Sequence, residues 1–216
     1  CSSDLDKPDL RFGMEIENLE NILKETSFKV FKEVIDNGGT VGAIKAENCA
    51  GMGRKQIDKL GEFVKTFKAK GLAWIAYKED EIKSPIAKFL KDEELKAIID
   101  KMDAKVGDLI LIVSDAKEKV VQQSLGQLRL HLAKELELLK GSDELRFVWV
   151  TEFPMVSYNE EDGRWEAEHH PFTAIMDEDI ELLEKDPGKV RAKAYDIVIN
   201  GEELGGGSIR KHDSKL

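Results

Sequence analysis

Between residues 40 and 139 the apolar residues of this chain switch repeatedly between two spacings, and few folds satisfy both. "TVGAIKA" (40–46), "LAWIAY" (72–77) and "GDLILIV" (107–113) are short runs rich in branched and aromatic residues, as strands are. Between them, Ile57, Leu60, Val64 and Phe67 recur three or four residues apart in "RKQIDKLGEFVKTFKAKG" (54–71), which places them on one face of a helix. "DEELKAIIDKM" (92–102) predicts an amphipathic helix with an acidic first turn. "AKEKVVQQSLGQLRLHLAKELELL" (116–139) predicts a long one, with Val121, Leu125, Leu128, Leu132, Leu136 and Leu139 on or near one stripe. This alternation implies one compact α+β or α/β module of about 100 residues, a usual domain size. Ahead of it, "LRF" (10–12) reads as the end of a strand. Leu19, Ile22 and Leu23 form a short helical stripe. Ser27 is placed to cap a helix over "FKVFKEVID" that Asn37-Gly38-Gly39 would stop, although "FKVF" also suits a strand.

After the polar seam "KGSDE" (140–144) the texture changes: long helices stop, and "FVWVTEF" (147–153) and "KAYDIVI" (193–199) read as strands. With 41% hydrophobic residues in 216 there is ample material for a core. A formal net charge of −10 argues against wholesale wrapping of nucleic acid, while leaving room for a local basic face. Cys1 and Cys49 form neither a CxxC pair nor a metal-ligand spacing, which fits a reducing compartment. No apolar run approaches the roughly 20 residues that span a bilayer, and "CSSDLDKPDLRF" has no apolar signal-peptide core. The chain lacks an initiator methionine and ends abruptly at "KHDSKL", so we expect a stretch of a longer protein.

The last fifty residues carry the chemistry. Asn200-Gly201 is a strong signal for a two-residue hairpin, because a type I′ turn needs positive φ at both central residues. A regular hairpin pairs Ile199 with Glu202, Val198 with Glu203 and Asp196 with Gly205. Asp196, Val198, Glu203 and Gly205 then share a face, with Asp196 diagonal to Glu203. Two carboxylates that close repel, and a hard cation such as Mg²⁺ relieves the repulsion when substrate phosphates complete its shell. The glycines of "ELGGGSIR" would offer a flat floor for a nucleotide or small substrate. Strict alternation puts Arg210 on the opposite face from Glu203. A bulge within Gly205–Gly207 would bring it across and present its planar fork to a carboxylate or phosphate. A plainer reading is a glycine-loosened edge hairpin with solvated charges, and two acids alone do not specify Mg²⁺.

In "HHPF" (169–172) adjacent histidines of an extended segment face opposite ways, which disfavours a two-histidine metal site. One of them facing the pocket could bind an anion; the bland alternative is a pair of loop histidines on a proline turn. The chain contains neither a P-loop nor a dinucleotide-binding glycine motif, and no nucleophile elbow.

"DKPDLRFGMEI", "RKQID", "KGLAWI", "SPIAKFL", "GDLILI", "FVWVTEFPM", "HHPFT", "DPGKVRAKAYDIVING" and "ELGGGSIR" occur in this order. Together they resemble the bacterial-type aspartyl-tRNA synthetases from Asp6 to Asp213. The resemblance implies an α+β fold: part of a class II antiparallel-sheet catalytic domain (1–13 and 142–216) with an inserted GAD-like α+β domain (14–141). It implies activation of L-aspartate with ATP to aspartyl-adenylate and transfer to tRNA, with ATP and Mg²⁺ as cofactors. The full-length protein would be a cytoplasmic homodimer with no membrane association. By resemblance, His169 reaches the bound aspartate, Arg210 grips its side-chain carboxylate, and Glu203 and Asp196 hold Mg²⁺ on ATP. No general acid or base is implied. The arginines of the family's motifs 2 and 3 and its anticodon-binding domain would lie outside residues 1–216, so these residues alone are expected not to activate aspartate. Gly53 stands where the family often has a serine helix cap, and Glu202 where it has tyrosine; Glu202 is expected to face away from the pocket.

The alternative is a non-catalytic, tRNA-contacting or regulatory insertion module. Arg54, Lys55, Lys59, Lys65, Lys68 and Lys70 of the 54–70 helix could meet acceptor-stem phosphates. Against it stands a solvated lysine face balanced by nearby acids.

Overall fold

A computed structural model describes residues 8–79, 81–159, 162–170 and 172–211. The chain separates into two compact units: Phe12–Gly141, and the residues up to Arg11 together with Ser142 onwards.

In the larger unit the predicted alternation is realised as an antiparallel sheet. Its strands are β1 (Glu17–Asn18), β2 (Thr40–Ala46), β3 (Ala73–Tyr77), β4 (Ile82–Lys83) and β5 (Leu109–Asp115), in the order β1-β2-β5-β3-β4. The central pairings β2–β5 and β3–β5 are both antiparallel, which decides for α+β over α/β. Helices cover both faces. Ile57, Leu60 and Val64 of α3 (Arg54–Lys65) and Val121, Leu125, Leu128 and Leu132 of α5 (Glu118–Glu135) pack on Ile44, Trp74, Leu109, Leu111 and Val113. On the other face α1 (Glu20–Leu23), α2 (Lys29–Asp36) and α4 (Asp92–Lys101) bring Leu23, Phe31, Leu95 and Ile98 onto Val41, Ala43, Ile75, Ile110 and Ile112. Burial from both sides explains why "LILIV" is continuously apolar rather than alternating. Gly42 lets α5 approach β2, since a Cβ there would meet Val121 Cγ1 at 2.8 Å and Leu125 Cδ1 at 3.0 Å.

Several local expectations need correction. "LRF" is not a strand: Arg11 and Phe12 lie in a turn. Ser27 does not cap α2; its hydroxyl donates to the Phe89 carbonyl at 2.7 Å, and Phe28 occupies the cap position. The helix expected over 54–71 ends at Lys65, with Lys68 at φ +72°. At its start, Gln56 Oε1 accepts from the Gly53 N–H at 2.9 Å, so half of a reciprocal cap survives without the serine.

The smaller unit contains a three-stranded antiparallel sheet, order β10-β9-β6, from β6 (Phe147–Thr151), β9 (Ala194–Ile199) and β10 (Glu202–Ser208). A separate ribbon pairs β7 (Val156–Asn159) with β8 (Arg164–Ala167), and α6 (Leu182–Lys185) is a single turn. Among the described residues no helix is long and apolar enough to cross a membrane.

Candidate functional site

Asn200 and Gly201 sit at φ +50° and +83°, so β9 and β10 meet in the expected tight turn. Asn200 is fixed further by its side chain, which accepts from the Arg146 N–H at 2.9 Å and donates to the Glu144 carbonyl at 3.0 Å.

Past the turn the register runs Glu202–Ile199, Glu203–Val198, and then Gly205–Ile197, Gly206–Asp196, Gly207–Tyr195 and Ser208–Ala194. One extra residue, Leu204, is accommodated between Glu203 and Gly205. The bulge therefore lies one position earlier than expected, and Asp196 pairs with Gly206 rather than with Gly205. A bulge reverses side-chain parity downstream. Val148 and Val150 of β6, Ala194, Asp196 and Val198 of β9, and Glu203, Gly206 and Ser208 of β10 now share one face. By alternation, position 210 belongs to that face too. Glu202, paired with Ile199, belongs to the other.

The glycine floor is only partly open. A Cβ at Gly206 would collide with Asp196 Oδ1, and one at Gly207 would meet the Tyr195 hydroxyl at 2.7 Å; only Gly205 has open space beside it. The glycines thus admit the chain's own carboxylate and phenol first. Asp196 leans across the strand toward β10, on the face that carries Glu203.

Arg210 lies beyond the regular ladder, where another segment enters. Thr173 bridges Arg210, and Ile175 bridges Ala192. Backbone bonds run from Ala174 N–H to the Ile209 carbonyl (2.8 Å), from Lys193 N–H to the Ala174 carbonyl (2.8 Å) and from Lys211 N–H to the Phe172 carbonyl (2.8 Å). The stretch that follows the two histidines is wedged between the diverging ends of β9 and β10. Thr173 is buried, and its hydroxyl lies 3.4 Å from Ser208 Oγ.

The two histidines divide as their alternation predicts. His170 is a turn residue: its Nδ1 accepts from the Phe172 N–H at 3.2 Å. Residue 171, the proline of the expected turn, lies outside the described residues. His169 packs edge-on against buried Phe153, ring centroids 4.9 Å apart. Phe153 in turn packs with Val150, Ala192 and Ala194, so His169 is on the Asp196 side of the sheet. Its Nε2 is buried with no hydrogen-bond partner among the described residues. Neither the Glu203 carboxylate nor the Arg210 guanidinium forms a hydrogen bond or ion pair to a described residue, although both are exposed.

Two hard carboxylates suit Mg²⁺, but among the described residues no group of three or more acids, histidines or cysteines could hold a metal ion. Asp196 and Glu203 share a sheet face, and as a pair they would leave most of an ion's shell to other ligands.

Sequence reasoning missed the residues that hold this site together. Arg191 donates from Nε to Asp179 Oδ2 (2.8 Å) and from Nη2 to Asp179 Oδ1 (3.0 Å), while its backbone N–H reaches Asp179 Oδ2 (2.9 Å). It also pairs with Glu152 (3.2 Å) and Glu178 (3.1 Å). The Arg191 guanidinium, followed by its amide, holds the buried Asp179 carboxyl below the usual range, and Asp179 holds Arg191 above its own. The clamp secures the far end of the wedge, where the Met176 N–H donates to the Arg191 carbonyl at 3.0 Å. Only the density of charge in "MDEDI" and "KVRAK" hinted at it.

The basic helix shows no comparable assembly. Arg54 pairs with Asp58 at 2.8 Å and Lys65 with Glu62 at 2.7 Å, which neutralises part of α3, and Lys68 and Lys70 lie past its end. Burial, then the Asp108 carboxylate, push the Cys49 thiol up, away from nucleophilic use.

Residues 31–125 match the GAD domain family. Over 98% of its length the chain is 90% identical to an aspartate–tRNA ligase of Clostridium tetani (strain Massachusetts / E88), covering 36% of that protein. It is 76% identical, over the same share, to an aspartate–tRNA ligase of Clostridium botulinum (strain Kyoto / Type A2), covering 35% of it. The chain thus spans about a third of the length of these relatives. A solved hypothetical protein from Pyrococcus horikoshii OT3 aligns with 56% of the chain at 21% identity and a TM-score of 0.35, too distant a likeness to inform the fold.

Proposed function

We propose that this chain is part of a bacterial-type aspartyl-tRNA synthetase and contributes an aspartate-activating pocket to an aspartate–tRNA ligase. In the proposed reaction a carboxylate oxygen of L-aspartate attacks the α-phosphorus of ATP. Pyrophosphate leaves, and aspartyl-adenylate then esterifies the 3′ end of tRNA with release of AMP. Such chemistry asks the protein for positioning and charge neutralisation more than for a base.

Arg210 takes the side-chain carboxylate of aspartate in a bidentate grip. Asparagine would present amide hydrogens to the same fork and leave donors unpaired, a large penalty in a pocket built for an acceptor. His169, anchored by Phe153, offers Nε2 to the bound amino acid. Glu203 and Asp196 would hold Mg²⁺ on the phosphates of ATP, and the ion would supply charge neutralisation there. Residues 1–13 and 142–216 are assigned to the catalytic domain and residues 14–141 to its insertion. We assign the parent to the cytoplasm, as a homodimer, with a free buried Cys49 in keeping with a reducing environment.

The observation that carries this reading is the register shift at Leu204, which puts Glu203, Asp196 and position 210 on one face; neither the Glu203 nor the Arg210 side chain has a partner among the described residues. The test is ATP–pyrophosphate exchange by the full-length ligase. Arg210→Ala should lower kcat/KM for aspartate by about a thousandfold or more, the scale on which a charge-specific pocket discriminates. Glu203→Gln should raise the Mg²⁺ and ATP requirement. Exchange by Arg210→Ala at the parent rate would sink the pocket assignment.

A further inference from the structure

We propose that Thr173 is a positioning residue for Arg210, acting through the contact between its hydroxyl and that of Ser208. The inference rests on the aspartate-pocket reading above and adds a residue that reading does not require.

The regular pairing of β10 with β9 stops at Ser208. Beyond it the backbone of 209–211 is held by one bond to β9, Ile209 N–H to the Lys193 carbonyl (2.9 Å), and by the wedge segment on its other side. Thr173 lies directly opposite Arg210 in that wedge. The Arg210 side chain has no partner of its own among the described residues, so the backbone of 208–211 sets its aim. Thr173 is 1% exposed, and its hydroxyl meets Ser208, two residues before Arg210 and on the same strand face. A β-branched side chain is stiff about χ1, so this hydroxyl is held in place at little further entropic cost. The contact, at 3.4 Å, is long for two hydroxyls; it steers rather than grips, and its loss should shift the guanidinium without dissolving the fold.

The test uses the full-length ligase and steady-state exchange kinetics. Thr173→Val keeps the shape and removes the hydroxyl. It should raise KM for aspartate about fivefold, the scale of one net hydrogen bond, with KM for ATP and kcat within about twofold of the parent. Thr173→Ser should restore KM. Ser208→Ala should reproduce the Thr173→Val effect, and the double variant should be no worse than either alone, because both remove one contact. Ser208 is partly exposed, so Ser208→Ala gives the answer even if Thr173→Val melts early. An unchanged KM for aspartate in Ser208→Ala would overturn the proposal. So would a loss spread equally over both substrates and kcat, or a failure of Thr173→Ser to recover. Arg210→Ala measured alongside separates the two levels: if it is inactive while the hydroxyl variants behave as the parent, only the role of Thr173 falls. If it retains full exchange, the pocket falls and this inference with it.

Discussion

His169 and His170 are neighbours in sequence and opposites in circumstance: one ring is pressed against Phe153 with an orphaned nitrogen, the other closes a turn. Alternation along an extended segment foretold that they would part, though not which would face inward. Asp179 was not foreseen at all, because a buried carboxylate is recognised by its partner, and Arg191 lies 12 residues away. The Arg191 bonds depress the Asp179 pKa. A depressed carboxyl stabilises the fold above its unfolded pKa, near 3.9, and loses that contribution as pH falls through the lower folded value. Asp179→Asn should therefore melt at a lower temperature than the parent at pH 7, with the difference narrowing progressively below about pH 4. A gap that is constant from pH 7 to pH 3 in thermal melts would show that the charge is not involved.

Among the elements, the β9–β10 hairpin shows most directly how one residue decides a site. Its turn was legible from Asn200-Gly201, and a bulge was expected among the three glycines because glycine tolerates bulge geometry. The extra residue is instead Leu204, 60% exposed, its side chain excluded from the packed face. Glycines 206 and 207 are needed for another purpose, the close passage of Asp196 and Tyr195. Deleting Leu204 should restore regular pairing while Gly205 to Ser208 keep their present partners on β9, so Arg210 stays on the face of Glu203. We expect that deletion in the full-length ligase to lower aspartate-dependent exchange by well under the roughly hundredfold that a misplacement of about an ångström costs, with the circular dichroism spectrum unchanged. A loss of about a hundredfold or more would mean that the bulge itself, and not the pairing of Gly205 to Ser208, orients Arg210.

The whole chain combines two units of unequal core. Phe12–Gly141 buries two large apolar clusters, one on each face of its sheet, whereas the smaller unit relies on a cluster centred on Phe153, Ala192 and Ala194. Phe147, Trp149 and Tyr195 share the sheet face opposite Asp196 and are 57%, 60% and 42% exposed. A unit with so little buried apolar area has little to set against its conformational entropy. The 216-residue chain should unfold in two steps, the smaller unit first. Trp149 and Trp165 report on that unit and Trp74 on the other, so single-tryptophan variants should melt at temperatures several degrees apart. Coincident transitions would show that the two units unfold as one.

The sequence by itself determined three helices and three strands within residues 40–139, the Asn200-Gly201 turn and the resemblance to one family, because each is written in local spacing or in contiguous motifs; it missed β4 and set the ends of α3 and α5 too late. It left open whether the larger sheet was parallel or antiparallel, since both burial patterns produce the same apolar runs once helices cover the two faces. It also left open which face Arg210 takes, because parity beyond the turn depends on a single inserted residue whose position is set by cross-strand packing of Asp196 on Gly206. The wedge of 172–176 between β9 and β10, and the Arg191–Asp179 clamp that secures it, come from tertiary structure alone. Their partners are distant along the chain, and only folding brings their donors and acceptors within hydrogen-bonding range.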